Sequence, residues 1–203
     1  MANKTLVTPV GQTSFMKVYK AEPNMAGTKN VFSCKLLFPK TMDMSWIKNA
    51  WDAVCMEEFG TLTPPGIRPL FSAGNPFDDK GAIMDGDWKY NSVAEGKKET
   101  YEAYRGMWVM GFTSDEGAPP AIVDEHKNEI INQAEFQSGD YARAAIELSS
   151  YTSKKFKSAN VSVKFGALQK DRTGERFSGG MSTDRALEMF EDGSGGGDLG
   201  GLI

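Results

Sequence analysis

Hydrophobic and polar positions alternate along SFMKVYK, with Met16 and Val18 on one face and Phe15, Lys17 and Tyr19 on the other. This predicts a half-buried strand. The next run, VFSCKLLF, sets Phe32, Cys34, Leu36 and Phe38 on one face against Ser33 and Lys35 on the other. The intervening EPNMAGTKN is rich in turn formers, so the two runs read as a hairpin. Pro39 ends the alternation, and DMSWIKNAWDAVCMEEFG then carries Trp46, Ile47, Ala50, Trp51 and Val54 at helical spacing as far as Gly60. The spacing predicts one helix over about residues 44–58, with Asp43 or Ser45 to cap it.

From Thr61 to Tyr104 no period is sustained, and TPPGIRP, AGNPFDDKG and DGDWKYN read as a long loop excursion. Strand character returns in RGMWVMGFTS and in the short PPAIVD, while HKNEIINQAEFQSG holds at most a helical turn. DYARAAIELSSY alternates cleanly, with Ala142, Ala144, Ile146 and Leu148 inward and Tyr141, Arg143, Glu147 and Tyr151 outward. NVSVKFGALQ follows with Val161, Val163 and Phe165 inward and Lys164 outward. Five or six strands, one mid-chain helix and a bulky loop predict a mainly β protein, a small and partly open antiparallel barrel of the OB class.

Charge divides the chain in two. Residues 184–203 hold five acids (Asp184, Glu188, Glu191, Asp192, Asp198) and one base, a charge of −4 equal to that of the whole chain. Residues 1–183 are neutral, and within them Tyr141 to Thr183 carries eight bases against three acids. The acidic balance is therefore a property of the Gly-rich tail, and a polyanion partner for the 1–183 body is compatible with it. MWVMGF falls far short of the roughly 18 apolar residues a membrane span needs, and MANKTLVTPVGQ has no apolar signal core, so a cytoplasmic protein is expected.

Combining the outward faces yields Phe15, Lys17, Tyr19, Lys35, Tyr141, Arg143, Tyr151 and Lys164, a recurrence of rings and cations on surfaces that are not core. Single-stranded nucleic acid uses that pairing: rings stack splayed bases and cations follow the phosphates. Lys154, Lys155, Phe156 and Lys157 add a basic rim before the last strand, or form a solvated loop. Trp108 and Phe112 sit in a run apolar on both faces, and either stack bases or fill the core.

Enzyme signatures are sparse, and no cofactor is expected. His126 is the lone histidine, Cys34 and Cys55 are too few for a disulfide framework or zinc site, and GSGGG lacks the Lys-Ser/Thr of a phosphate loop. Asp85 with Asp87, or Asp78 with Asp79, are the candidate magnesium pairs that a metal-dependent nuclease or recombination enzyme would need. A structural or assembly protein would instead bury the ring-bearing faces in a subunit contact. Self-association through IRPLFSAGNPF, giving a homodimer, is a further expectation.

In order, SWIKNAWDAVCMEEFG, DGDWKYN, RGMWVMGFTSDEGAPPAIVD and SGDYARAAIELSSYTSKKFKSANVSVKFGALQKDRTGERFSGG, followed by an acidic end, resemble a family of bacteriophage single-stranded DNA-binding proteins. The resemblance covers about residues 10–192. It implies an OB-fold that binds single-stranded DNA without strong sequence preference in phage replication, recombination or repair. It also implies that the acidic tail restrains DNA binding and recruits partner proteins. Tails of this kind commonly close on phenylalanine, whereas this one closes on Gly201, Leu202 and Ile203.

Overall fold

In the computed structural model, which describes residues 2–24, 26–64, 66–72, 82–153 and 158–177, the chain opens on a short strand, β1 (Asn3–Val7). The expected hairpin follows, β2 (Gly11–Pro23) pairing antiparallel with β3 (Asn30–Pro39). Helix α1 (Ser45–Phe59) buries Ile47, Ala50, Trp51, Val54 and Cys55 against β1 and the two C-terminal strands, and Gly60 ends it in the left-handed conformation that glycine adopts without steric cost. Asp43 accepts from the Ser45 N–H at 2.9 Å at the start of the helix, while the capping position itself belongs to Met44.

The excursion is more ordered than its composition predicts. It contains β4 (Ile83–Asp85), a second helix, α2 (Gly86–Ser92), and 3-10 turns over Glu95–Lys97 and Glu99–Tyr104. These pieces are too short to impose a readable period. Then come β5 (Met107–Asp115), β6 (Ala121–Val123), a single 3-10 turn at Gln133–Glu135, β7 (Tyr141–Ser153) and β8 (Ser158–Arg172).

Five of these strands close a circuit. β2, β3 and β5 pair in succession, β5 meets β8 in parallel, β8 pairs antiparallel with β7, and β7 returns to β2. This is the OB circuit, with β1, β4 and β6 added at its margins. The closure is thin in two places: one pairing, Thr113 with Lys164, joins β5 to β8, and two join β2 to β7.

The core fills as the alternation requires. Phe32, Cys34, Leu36 and Phe38 of β3 and Ala142, Ala144, Ile146 and Leu148 of β7 are all buried inside the barrel. Phe112 is buried in the core beside Phe165, while Trp108 is partly buried, packed against that core and on Phe71. The second apolar face of β5 is explained by the excursion, whose Tyr104 covers Val109 and Leu37 from outside.

The excursion folds back on itself and onto the start of β5 too closely at one point for any side chain. A Cβ on Gly86 would lie 2.0 Å from the Tyr104 carbonyl oxygen and 2.7 Å from that of Met107. Gly86→Ala is therefore expected to destabilise the fold by about 1 to 3 kcal/mol, read as a lower urea midpoint. An unchanged midpoint would mean that this approach is dispensable.

Candidate nucleic-acid interface

Strand β2 loses its register in its middle. Ser14 faces Lys35 but Lys17 faces Ser33, so β2 carries one more residue than β3 across this interval. Phe15 takes up the difference at φ 48°, a left-handed backbone that costs a bulky residue about 1 to 3 kcal/mol. Neighbouring bonds hold it there. Thr13 donates its N–H to the Asp140 carbonyl at 2.8 Å and accepts from the Gly139 N–H at 2.9 Å, and the Met16 N–H donates to Ser138 Oγ at 3.0 Å.

The bulge throws the Phe15 ring out of the sheet, 37% exposed, against two tyrosines from the excursion. Its centroid is 5.7 Å from that of Tyr101 and 6.3 Å from that of Tyr104. Tyr104 is buried and shares a hydrogen bond with Ser14 Oγ at 3.3 Å, which fixes the far ring and leaves Phe15 and Tyr101 as the accessible ones. Lys35 Nζ stands 4.9 Å over Phe15 and 5.6 Å from Tyr104, and Lys89 Nζ stands 4.9 Å over Tyr101. Rings and cations thus interleave across two elements far apart in sequence. Burial, then the nearby Lys89 charge, lowers the Lys35 ammonium from its ordinary value.

Beyond this cluster the outward side chains run in a row across all five barrel strands. Lys17 pairs in register with Ser33, Ser33 with Thr113, Thr113 with Lys164 and Lys164 with Glu147. Gly111 pairs with Lys35 and has open space where a side chain would stand, so the floor beside Lys35 is bare. Lys17 also bonds Glu22 at 2.6 Å, and Lys29 bonds Asp115.

Around the barrel, Tyr141 pairs in register with Gln12, and the Arg172 guanidinium stacks 4.0 Å from its ring centroid. Arg143 lies next along the same face, 3.3 Å from Asp171. Tyr151 is 39% exposed but stands ten residues beyond Tyr141, roughly 33 Å along the strand at the usual rise. The structure thus gathers Phe15, Lys35, Lys17 and Lys164 on one face, places Tyr141 and Arg143 at its edge, and sets Tyr151 apart. Tyr19 leaves the exposed face expected for it. It is half-buried against the core with its hydroxyl enclosed, and burial, then Glu135 and Asp140, pushes its pKa up to about 12. Lys154, Lys155, Phe156 and Lys157, and the tail acids Asp184, Glu188, Glu191, Asp192 and Asp198, lie outside the described residues.

Sequence reasoning missed Tyr101, Tyr104, Lys89 and the stacking role of Arg172. The available signal was the i, i+3 spacing of Tyr101 and Tyr104 in KETYEAYRG, which sets both rings on one side of a short helical turn. Asp85 and Asp87 have a different task from the one considered for them. Lys40 Nζ donates to Asp85 at 2.7 and 2.8 Å and to Asp87 at 2.8 Å. Asp85 also caps α2, and Asp87 accepts from the Gly106 N–H at 2.8 Å. The Lys40 ammonium, then the Gly106 N–H, holds the Asp87 carboxyl below the usual range. The pair clamps the ring-bearing excursion to β3. Asp78 and Asp79 lie outside the described residues. Among the described residues no three His, Cys, Asp or Glu side chains come together to hold a metal, and no helix is long and apolar enough to cross a membrane.

A family model described as the ssDNA-binding protein of Enterobacter phage Enc34 matches residues 4–199. Among solved structures, the chain is similar to the single-stranded DNA-binding protein from bacteriophage Enc34 in complex with ssDNA, at 17% identity and a TM-score of 0.59, covering 86% of this chain and 89% of that one. A second structure of the bacteriophage Enc34 protein gives 17% identity and a TM-score of 0.55 over 90% and 89% of the two chains. At this identity the likeness is one of fold. No curated protein matches.

Proposed function

Because the chain belongs to the family of the Enterobacter phage Enc34 ssDNA-binding protein, we propose that it binds single-stranded DNA, without strong sequence preference, across the outward face of β2, β3 and β5. The observation that carries this reading is the interleaving of Phe15, Lys35, Tyr101 and Lys89 on one accessible surface. Exposed rings stack bases at about 1 to 3 kcal/mol each, and a base stacks whatever its identity. Lys17, Lys35, Lys89 and Lys164 neutralise phosphates, with Tyr141, Arg143 and Arg172 carrying the strand around the edge. Tyr151, though apart from this face, and Lys154, Lys155, Phe156 and Lys157, which lie outside the described residues, are proposed as further contacts by side-chain type, rings to stack and lysines to neutralise phosphates.

The protein acts by binding rather than catalysis, in phage DNA replication, recombination or repair in the host cytoplasm. Residues 1–183 form the DNA-binding body. The acidic stretch from Asp184 restrains that body by competing for its cations and offers an attachment point to partner proteins.

Fluorescence anisotropy of labelled oligo-dT and a matched duplex, at two salt concentrations, tests this for the full chain and for a version ending at Thr183. Single strands should bind preferentially, more weakly as salt rises, and more tightly once the tail is removed. Equal affinity for duplex and single strand would overturn the reading, as would cleavage of the labelled strand on adding magnesium.

Lys35 gives the interface a pH dependence of known sign. Its ammonium already releases its proton more easily than an ordinary lysine, and a bound phosphate pulls the proton back. Affinity should therefore fall as pH rises through the lowered value, and Lys35→Arg should remove that component because guanidinium stays charged. A titration of affinity from neutral to alkaline pH checks it.

A further inference from the structure

A groove of about 690 Å³ opens beside Phe15. Its rings are Phe15, Tyr141 and Phe177, yet its charged lining is mostly acidic: Glu99, Glu102 and Glu175 against Arg176. Arg105 engages Glu102 at 2.7 Å, whereas among the described residues neither Glu99 nor Glu175 has an ion-pair partner. Gln12 donates its amide nitrogen to the Gly139 carbonyl at 3.0 Å, which leaves its oxygen as a further acceptor.

The wall that carries Glu175 is built in. A Cβ on Gly139 would lie 2.2 Å from the Glu175 carbonyl oxygen, and one on Gly174 would lie 2.1 Å from that of Gly139. The Gly174 N–H donates to Asp140 at 3.0 Å, and Phe177 packs on the Leu37, Tyr104 and Val109 cluster.

A phosphate is repelled by such a lining, while the lysine row lies close by on the open face. A nucleobase suits it: its faces meet the rings, and its edge meets side chains that chiefly accept hydrogen bonds. In a single strand that edge is free. Cytosine, adenine and guanine present an exocyclic amino donor, and carboxylates accept from such groups. Thymine presents two carbonyl oxygens flanking one N–H. We infer that this groove seats one base of the bound strand and reads its exocyclic amino group through Glu99 and Glu175, so that the protein disfavours thymine there. The inference rests on the single-strand reading above and adds a modest base preference to it.

The test compares labelled oligo-dC and oligo-dT of equal length at one neutral pH and salt concentration, using the full chain and its Glu99→Gln/Glu175→Gln variant. The parent should prefer dC by roughly fivefold or more. The variant should lose that preference chiefly by gaining affinity for dT, because a glutamine amide donates to thymine oxygens. Equal affinities in the parent, or a preference that survives in the variant, would overturn the inference. If both strands bind equally and Phe15→Ala weakens both, only the base reading fails. If neither strand binds, the single-strand reading fails and this inference fails with it.

Discussion

Phe15→Ala is expected to weaken single-strand binding by about 1 to 3 kcal/mol, roughly five- to hundredfold in affinity, with little change in its salt dependence. The ring is the more exposed of the two accessible members of the aromatic cluster, and no cation leaves with it. Because Phe15 sits at φ 48°, a second variant separates backbone from ring. Glycine adopts that conformation freely, so Phe15→Gly should fold more stably than Phe15→Ala by about 1 kcal/mol. Its affinity should stay as low as that of the alanine variant. Phe15→Tyr keeps a stacking face and should bind nearly as the parent does. Anisotropy and urea melts on the three proteins decide the matter: parent-like affinity in Phe15→Ala would remove the ring from the interface.

Asp140→Ala is expected to produce the largest loss of stability, about 3 to 5 kcal/mol, since it strips a buried carboxylate from its partners. Asp140 is 4% exposed and accepts from the N–H groups of Gln137 at 3.1 Å and Gly174 at 3.0 Å, with Lys170 at 3.3 Å. Its main-chain oxygen meanwhile receives the Thr13 N–H, two residues before the bulge. One residue therefore ties the turn before β7 to the bulged strand and to the chain leaving β8. Asp140→Asn retains an acceptor and should lose less. A thermal or urea melt of the alanine variant within about 1 kcal/mol of the parent would show that the turn is held by other means.

The legible parts of this chain are those where one rule governs a whole element. β7 reads correctly because one face is buried and the other wet throughout its outward-facing half, and α1 because its apolar stripe is long and Gly60 ends it. β2 reads correctly as far as Val18, which is buried while Phe15 and Lys17 face outward. Period-2 reasoning assumes an unbroken register, and between Lys17 and Glu22 β2 carries three more residues than β3, an irregularity within which Tyr19 turns against the core. β1 escaped notice because an exposed marginal strand, NKTLV, needs no apolar alternation. The excursion hid Tyr101 and Lys89 for the opposite reason: its short turns are held by tertiary contacts, namely the Lys40 clamp and the Gly86 approach, which leave no periodic trace. The candidate surface was thus half visible, with the barrel's side of it readable and the excursion's side not.

The circuit's order along the chain bears on how the protein is made. β1 and β2, at the N-terminal end, find their partners in β7, which begins at Tyr141, and β5 meets β8 only at Lys164. A nascent chain on the ribosome therefore carries the β2–β3–β5 sheet with unsatisfied edges until nearly all of the body has emerged. No smaller barrel is available on the way. Chains released early, ending before β8, would expose those edges together and be candidates for aggregation and proteolysis rather than for partial activity.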